Sequence, residues 1–411
     1  MKNAMKKTIL LCGNGLSGDI ISTIKSWGYN VLLISEFPDD RGVEYADGYI
    51  EANSKSVNDS IVAADSFFYN GKKFDGVISL CWDSAISVAA IAAKYNLFSI
   101  SLESAKLSTY KDLRSNAFNK SGVPSPKYAI CECKLDLYKN IKDFTYPIII
   151  KPASLSSSKG VILIEKEKDL DYGYEYAKRF DKNGPFILNE FIKGSEHSTE
   201  GLMIDGKLYL TAISDRIFDY EFFKPNFVEV GDIMPTILDK TVQSEIYRVT
   251  ELAALSLGIY NGVVKGDLIY NPTIGVSVLE LSARLGGPRF GTEMVPLSNG
   301  TCILKAAIQQ ALGEIIDLSL LTSKFSKGMV NRSIFPKPGY IKKISGIDKI
   351  KKEPGYYDYK WWDSELKIGD VIDVPENGCG NVGYMIVTGD TRSEALRNAD
   401  NIERLITIET H

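Results

Sequence analysis

Through residues 7–104, short apolar runs alternate with amphipathic stretches. Thr8–Cys12 reads as a buried strand, 17–27 as a helix, 29–35 and 75–80 as further strands, and Ala85–Tyr95 as a helix. Strand and helix taking turns predict a parallel sheet wrapped by helices. Beyond residue 104 the pattern changes. Residues 105–125 read as one helix, stopped by Gly122-Val123-Pro124. Strands are expected at 146–151, 160–165 and 186–192, and a hairpin at 199–204 and 207–214 turns on Asp205-Gly206. A helix at 241–257 precedes a strand pair, 263–270 and 276–281, around Pro272-Thr273. A helix at 301–312, strands at 340–344 and 384–387, and a helix at 392–406 complete the series. The aromatic run Tyr356-Tyr357-Asp358-Tyr359-Lys360-Trp361-Trp362 reads as a packed strand or hairpin, with a subunit interface or substrate lid as the other readings. There is no internal repeat and no long low-complexity linker.

At 411 residues the chain is long enough for two to four domains of about 100–200 residues each. Hydrophobic residues at 44% and charged residues at 24% fit a soluble globular protein. A net charge of −4 supplies no global basic field to recruit nucleic acid. Six cysteines are too few for a disulfide scaffold. Cys131 and Cys133 lack the further partners a metal site needs, since the only histidines are His197 and His411. Gly13, Asn14, Gly15 and Asp19 break the first apolar run early, so no secretory leader is expected. The longest apolar stretch, 77–93, contains Asp83 and is too short to span a bilayer comfortably. A cytoplasmic protein without membrane or nucleic-acid partners is the expectation.

Gly13, Gly15 and Gly18 form G-x-G-x-x-G between a strand and a helix, and Glu36 ends the next strand. Such a turn can cradle a dinucleotide pyrophosphate on backbone N–H groups. It can equally be a tight strand-to-helix turn that needs glycine for close packing.

Four downstream segments agree on one chemistry. Lys111, in Tyr110-Lys111-Asp112, can reach a phosphate or lie in solvent. Lys151 ends the apolar run 146–151, where burial is costly without an anionic partner. The loop after it, 153–161, includes Ser154, Ser156, Ser157, Ser158 and Gly160, the ingredients of an anion nest or of a flexible hairpin. Glu190, Phe191, Ile192 and Glu196 lie where an apolar strand meets an acidic turn, suited to an adenine edge and ribose hydroxyls. Asp267 and Glu280, thirteen positions apart on a strand pair, can face one another. Mg²⁺ is typically held by one or two carboxylates plus substrate phosphates. Arg284 and Arg289 flank a Gly-Gly turn just beyond and suit a developing phosphoryl charge.

In this order the segments resemble the ATP-grasp superfamily, especially its carboxylate–amine ligase branch. The resemblance covers nearly the whole chain, including residues 383–395, which look like the family's closing strand and helix. It implies a mixed α/β and α+β fold. Residues 1–104 would form a Rossmann-like parallel sheet whose glycine turn binds no dinucleotide. Residues 105–330 would form an ATP-grasp domain with two subdomains and a lid near 128–193, and 331–411 a small C-terminal subdomain. By motif, Lys111 and Lys151 match phosphate-facing lysines, and 154–160 the phosphate-covering loop. Residues 190–192 match the adenine-binding linker and Glu196 the ribose acid. Asp267 and Glu280 match metal ligands, and Arg284 the charge-stabilising arginine. Ser282 stands where the family usually has a ligating Asn, so a second metal ion is in question.

The implied activity is ATP- and Mg²⁺- (or Mn²⁺-) dependent. A carboxylate is activated as an acyl phosphate and joined to an amine, with release of ADP and phosphate. A homodimer is among the assemblies expected. The alternatives are an ATP-grasp carboxylase or phosphoribosylamine-type ligase, a nucleotide-sensing protein without turnover, and a dinucleotide oxidoreductase. Glu280→Ala is expected to abolish ATP turnover while leaving the fold intact. The identities of the acid and the amine are not legible in the sequence.

Overall fold

The computed structural model describes residues 6–13, 18–38, 42–287, 289–361 and 366–411. Gly15, Pro288 and Trp362, all in motifs named above, lie outside the described residues. The first sheet is four-stranded and parallel, in the order Gly48–Glu51, Asn30–Ser35, Thr8–Cys12, Gly76–Ile78. Alternation divides its strands between two cores. Leu10, Cys12, Leu32 and Ile34 pack on Ala63, Phe67 and Ile91. Ile9, Leu11 and Leu33 pack on Ile21 and Ile24, and also on Ile303, Ala307 and Ile308 of the distant helix Ile303–Ala311. That helix covers part of the first sheet and joins it to the rest of the molecule.

The expected helix at 105–125 is two helices, Leu102–Thr109 and Lys111–Lys120. Tyr110 between them is extended (φ −89, ψ 125), and the N–H of Lys111 donates to the carbonyl of Ala153 at 3.0 Å. The break re-aims the second helix, so that Lys111 and Arg114, one turn apart, share a face.

A four-stranded antiparallel sheet follows, in the order Tyr128–Cys131, Phe186–Glu190, Ile148–Pro152, Ile162–Ile164. Its buried face packs on Leu137, Leu170, Tyr176 and Ala177 of two covering helices. The largest sheet is eight-stranded and antiparallel. Its order is Gly275–Ser282, Gly262–Asn271, Ser195–Ile204, Lys207–Phe218, Glu229–Met234, Gly328–Ile334, Gly383–Gly389, Tyr356–Trp361. Helix Lys240–Ser256 covers one end of its back face and helix Arg392–Leu405 the other. The aromatic run is therefore the edge strand of this sheet. A three-stranded sheet, Val371–Ile372, Gly339–Ser345, Thr407–Thr410, lies in the C-terminal part. No helix among the described residues is long and apolar enough to cross a membrane.

The hairpin Ser195–Ile204 and Lys207–Phe218 turns on Asp205 and Gly206, with φ of 48 and 81, the two positive values a tight hairpin requires. A Cβ at Gly206 would meet nothing closer than Tyr260 Cδ1 at 3.6 Å. Gly206→Ala therefore costs only left-handed backbone strain. We expect a loss of about 1–2 kcal/mol in denaturant unfolding with unchanged secondary structure; an unchanged midpoint would contradict this.

Candidate active site

The four-stranded sheet and the front of the eight-stranded sheet face each other across a cleft of about 330 Å³. On the first wall, Ile148 and Ile150 point into the core, while Ile149 and Lys151 line the cleft. The Lys151 ammonium has no ion-pair or hydrogen-bond partner among the described residues. Burial, then the neighbouring Lys111 charge, pulls its pKa down to about 7. Lys111 is lowered by burial too, and its ammonium donates to the carbonyl of Leu155. Ser156, Ser157 and Ser158 line the same wall. Ser157 and Ser158 take left-handed φ values of 57 and 56, and Gly160 one of 73. Gly160 does not line the cleft; a Cβ there would lie 2.7 Å from the Pro152 ring, so this glycine lets the loop fold onto its own strand.

On the opposite wall, Asp267 and Glu280 are cross-strand partners. A β-bulge makes this possible. Val276 and Val278 point into the core, and continued alternation would send Glu280 after them. The register shifts next to Asp267, so Leu281 takes the core position while Leu279, Glu280 and Ser282 line the cleft. The Glu280 carboxylate lies 3.5 Å from Arg114 Nη2. Burial raises its pKa, but the charges of Arg114, Lys111, Lys265 and Lys151 together hold it far below the usual range. Asp267 accepts from Ser198 Oγ at 3.0 Å, lies 3.4 Å from Arg216 Nη1 and pairs with Lys265. Burial opposes its ionisation too, and Arg216 and Lys265 overcome that.

The remaining candidates fall as follows. Glu190, Phe191, Ile192 and Glu196 line the cleft, and Glu196 pairs with Arg216 at 3.0 Å. Arg284 lines it too, with its Nε 2.5 Å from Asp83 of the N-terminal part. Arg289 does not line the cleft, a correction to its proposed catalytic role. Its guanidinium is consumed by Glu293 and, at 2.7 Å, by Asp358. It also contacts the Tyr384 hydroxyl at 3.4 Å, and Tyr384 does reach the cleft. His197 lies buried on the other face, bonded to Ser195 Oγ at 2.7 Å and Asp215 at 2.9 Å. Gly13 has φ 86, and a Cβ there would come within 2.6 Å of the Trp82 ring, which is the close-packing reading of the glycine turn.

Sequence reasoning missed several residues. Arg114 is one helical turn from Lys111, a signal that was available. Arg216, Lys265, Asp83, Asn189, Glu229, Asp232 and Asn331 carry no motif. Burial and the nearby Glu229 push Asp232 up to about 7. Burial likewise raises Glu200, behind the Arg284 turn, to about 8, although it accepts from Gly286 N–H at 2.8 Å.

The donor set fits a metal nucleotide. Two cross-strand carboxylates suit Mg²⁺, which takes its other ligands from phosphates and water. Among the described residues, Lys151 and Arg216 Nε, both in the cleft wall, are donors without partners, and Asn189 Oδ1 is an acceptor without one. Two sheets gripping such a cleft define the ATP-grasp class. A model of the ATP-grasp domain matches residues 104–288, and one of L-amino acid ligase C-terminal domain 2 matches 332–411. Over these two segments the chain is similar to ATP-grasp proteins and to L-amino acid ligases.

It is 27% identical over 222 residues to an alanine–anticapsin ligase of Bacillus subtilis (strain 168), covering 49% of this chain and 46% of that protein. It is 29% identical over 189 residues to a D-alanine–D-alanine ligase of Campylobacter concisus (strain 13826), covering 42% and 53%. The matches thus span about half the length of these curated relatives. A solved L-amino acid ligase from Bacillus licheniformis superposes with a TM-score of 0.83 at 19% identity over 99% of each chain, a likeness of fold.

The Arg114–Glu280 pair adds a stability cost to the expected outcome of Glu280→Ala. Arg114 is only 2% exposed, so the alanine removes the carboxylate facing its buried guanidinium and leaves it the Ser108 carbonyl at 2.9 Å. Glu280→Ala should lose about 1–3 kcal/mol in chemical denaturation, and Glu280→Gln, which keeps an acceptor, less than about 1 kcal/mol. Equal stability of the alanine variant and the parent would contradict the pairing.

Proposed function

We propose that the protein is an ATP-dependent ligase that activates a carboxylate as an acyl phosphate and joins it to an amine, releasing ADP and phosphate. The observation that carries this reading is the unpartnered Lys151 ammonium in the same cleft as cross-strand Asp267 and Glu280. The family likeness of both matched segments supports it.

In this reading Lys111, Lys151 and residues 155–158 of the Ser-rich loop take the triphosphate. Residues 190–192 and Asn189 take the base, and Glu196 the ribose. Asp267 and Glu280, with Ser282 beside them, hold the metal, which when bound withdraws charge from the phosphoryl oxygens. The protein does little covalent chemistry. It lines the acceptor carboxylate up with the γ-phosphorus and stabilises the charge that develops. Arg284, oriented by Asp83, supports the acyl phosphate. Arg289 acts from behind, fixing Tyr384. The Ser-rich loop, whose Ser157 carbonyl accepts from Gly378 N–H at 3.2 Å, keeps water from the intermediate. The partners are small-molecule acids and amines, and the reaction is cytoplasmic.

Two outcomes check this. Incubation with ATP, Mg²⁺ and mixed carboxylates and amines should yield ADP and phosphate. Glu280→Gln should lower the rate by about 100-fold or more. AMP and pyrophosphate as products would exclude the acyl-phosphate route. The depressed pKa of Lys151 supplies the second check. At pH 8.5 its amine is mostly neutral in the free protein and becomes charged against a triphosphate. ATP binding at that pH should therefore take up about one proton, seen by calorimetry in buffers of different ionisation enthalpy. Lys151→Met should abolish the uptake. Binding with no buffer dependence would contradict the assignment.

A further inference from the structure

The cleft continues across the large sheet beyond the paired carboxylates. Arg216 is in register with Asp232, and Asp232 with Asn331, so their side chains are neighbours on one face. Arg216 directs its Nη atoms to Glu196, Glu229 and Asp267. Asp232, 8% exposed, has no ion-pair partner among the described residues; it accepts from Ser214 Oγ at 2.7 Å. Asn331 is 6% exposed, and its Oδ1 has no hydrogen-bond partner among the described residues. Both residues line the cleft. A buried carboxylate beside an unmade acceptor is unfavourable unless a charged donor arrives.

We propose that Asp232 and Asn331 bind a non-reacting ammonium or guanidinium group of a substrate whose other end reacts beside Asp267 and Glu280. The inference rests on the ligase reading and narrows its substrate class. Asp267 and Asp232 lie three strand spacings apart, about 14 Å along the sheet. One nitrogen cannot serve both places. The substrate therefore carries a positive charge several bonds from its reacting carboxylate or amine, as basic amino acids and polyamines do.

The test is calorimetry on the full chain loaded with Mg²⁺ and a non-hydrolysable ATP analogue. L-lysine, L-arginine and putrescine are compared with their uncharged or singly charged counterparts norleucine, citrulline and n-butylamine. At least one cationic probe should bind about tenfold or more tightly than its counterpart. Asp232→Asn and Asn331→Leu should each reduce that preference to about twofold. Equal binding within every pair, no binding by any probe, or a preference unchanged in both variants overturns the proposal. Competition by KCl but by no organic cation also overturns it, in favour of an inorganic cation site. Affinity for the Mg²⁺-loaded analogue is measured first. A wild-type chain that fails there overturns the ligase reading and this inference with it. Intact nucleotide binding without cation preference overturns this inference alone.

Discussion

An ammonium group without a partner faces two carboxylates whose charges are already matched. Lys151 stands on one sheet, and Asp267 and Glu280 stand on the other, tied to Arg216, Lys265 and Arg114. Without an anion the lysine loses much of its charge to burial. With a triphosphate and a divalent cation between the walls, each side has its complement.

The rest of the molecule holds those walls in place. Helix Ile303–Ala311 packs on the N-terminal sheet, so the parallel sheet and the large antiparallel sheet share one core. Asp83, just beyond the last strand of the N-terminal sheet, orients Arg284 at the wall of the cleft. Arg289 anchors the turn beyond through Glu293 and Asp358, reaching the edge strand formed by the aromatic run. The Ser-rich loop is tied to the C-terminal part by Gly378 on Ser157, and helix Leu170–Phe180 by Glu376 on Arg179 at 3.2 Å. The second of these is an exposed pair worth little alone.

Much of this was legible in the sequence, for identifiable reasons. Three strands of the parallel sheet showed because they are continuous apolar runs, while its edge strand Gly48–Glu51 is no such run and was not foreseen; the hairpin at Asp205-Gly206 showed because its turn chemistry is local. Strand Glu229–Met234, with glycine and acids breaking its alternation, left no such trace, although it carries Asp232. The division at Tyr110 was hidden because Lys111 N–H finds its partner, Ala153, far away in sequence. Glu280 was named by motif, yet alternation from Val276 and Val278 would have buried it. Only the bulge brings it into the cleft. Arg289 looked catalytic beside two glycines; Glu293, four residues on, was a local signal that it is claimed, but Asp358 is far away in sequence.

The central claim is that metal and nucleotide bind together between Lys151 and the two carboxylates. Calorimetric titration with ATP, with and without Mg²⁺, for the parent and for Asp267→Asn tests it most directly. The account predicts that Mg²⁺ tightens ATP binding by about tenfold or more in the parent, and that the variant loses most of this gain. Equal affinity with and without the metal, or a gain untouched by Asp267→Asn, would contradict it.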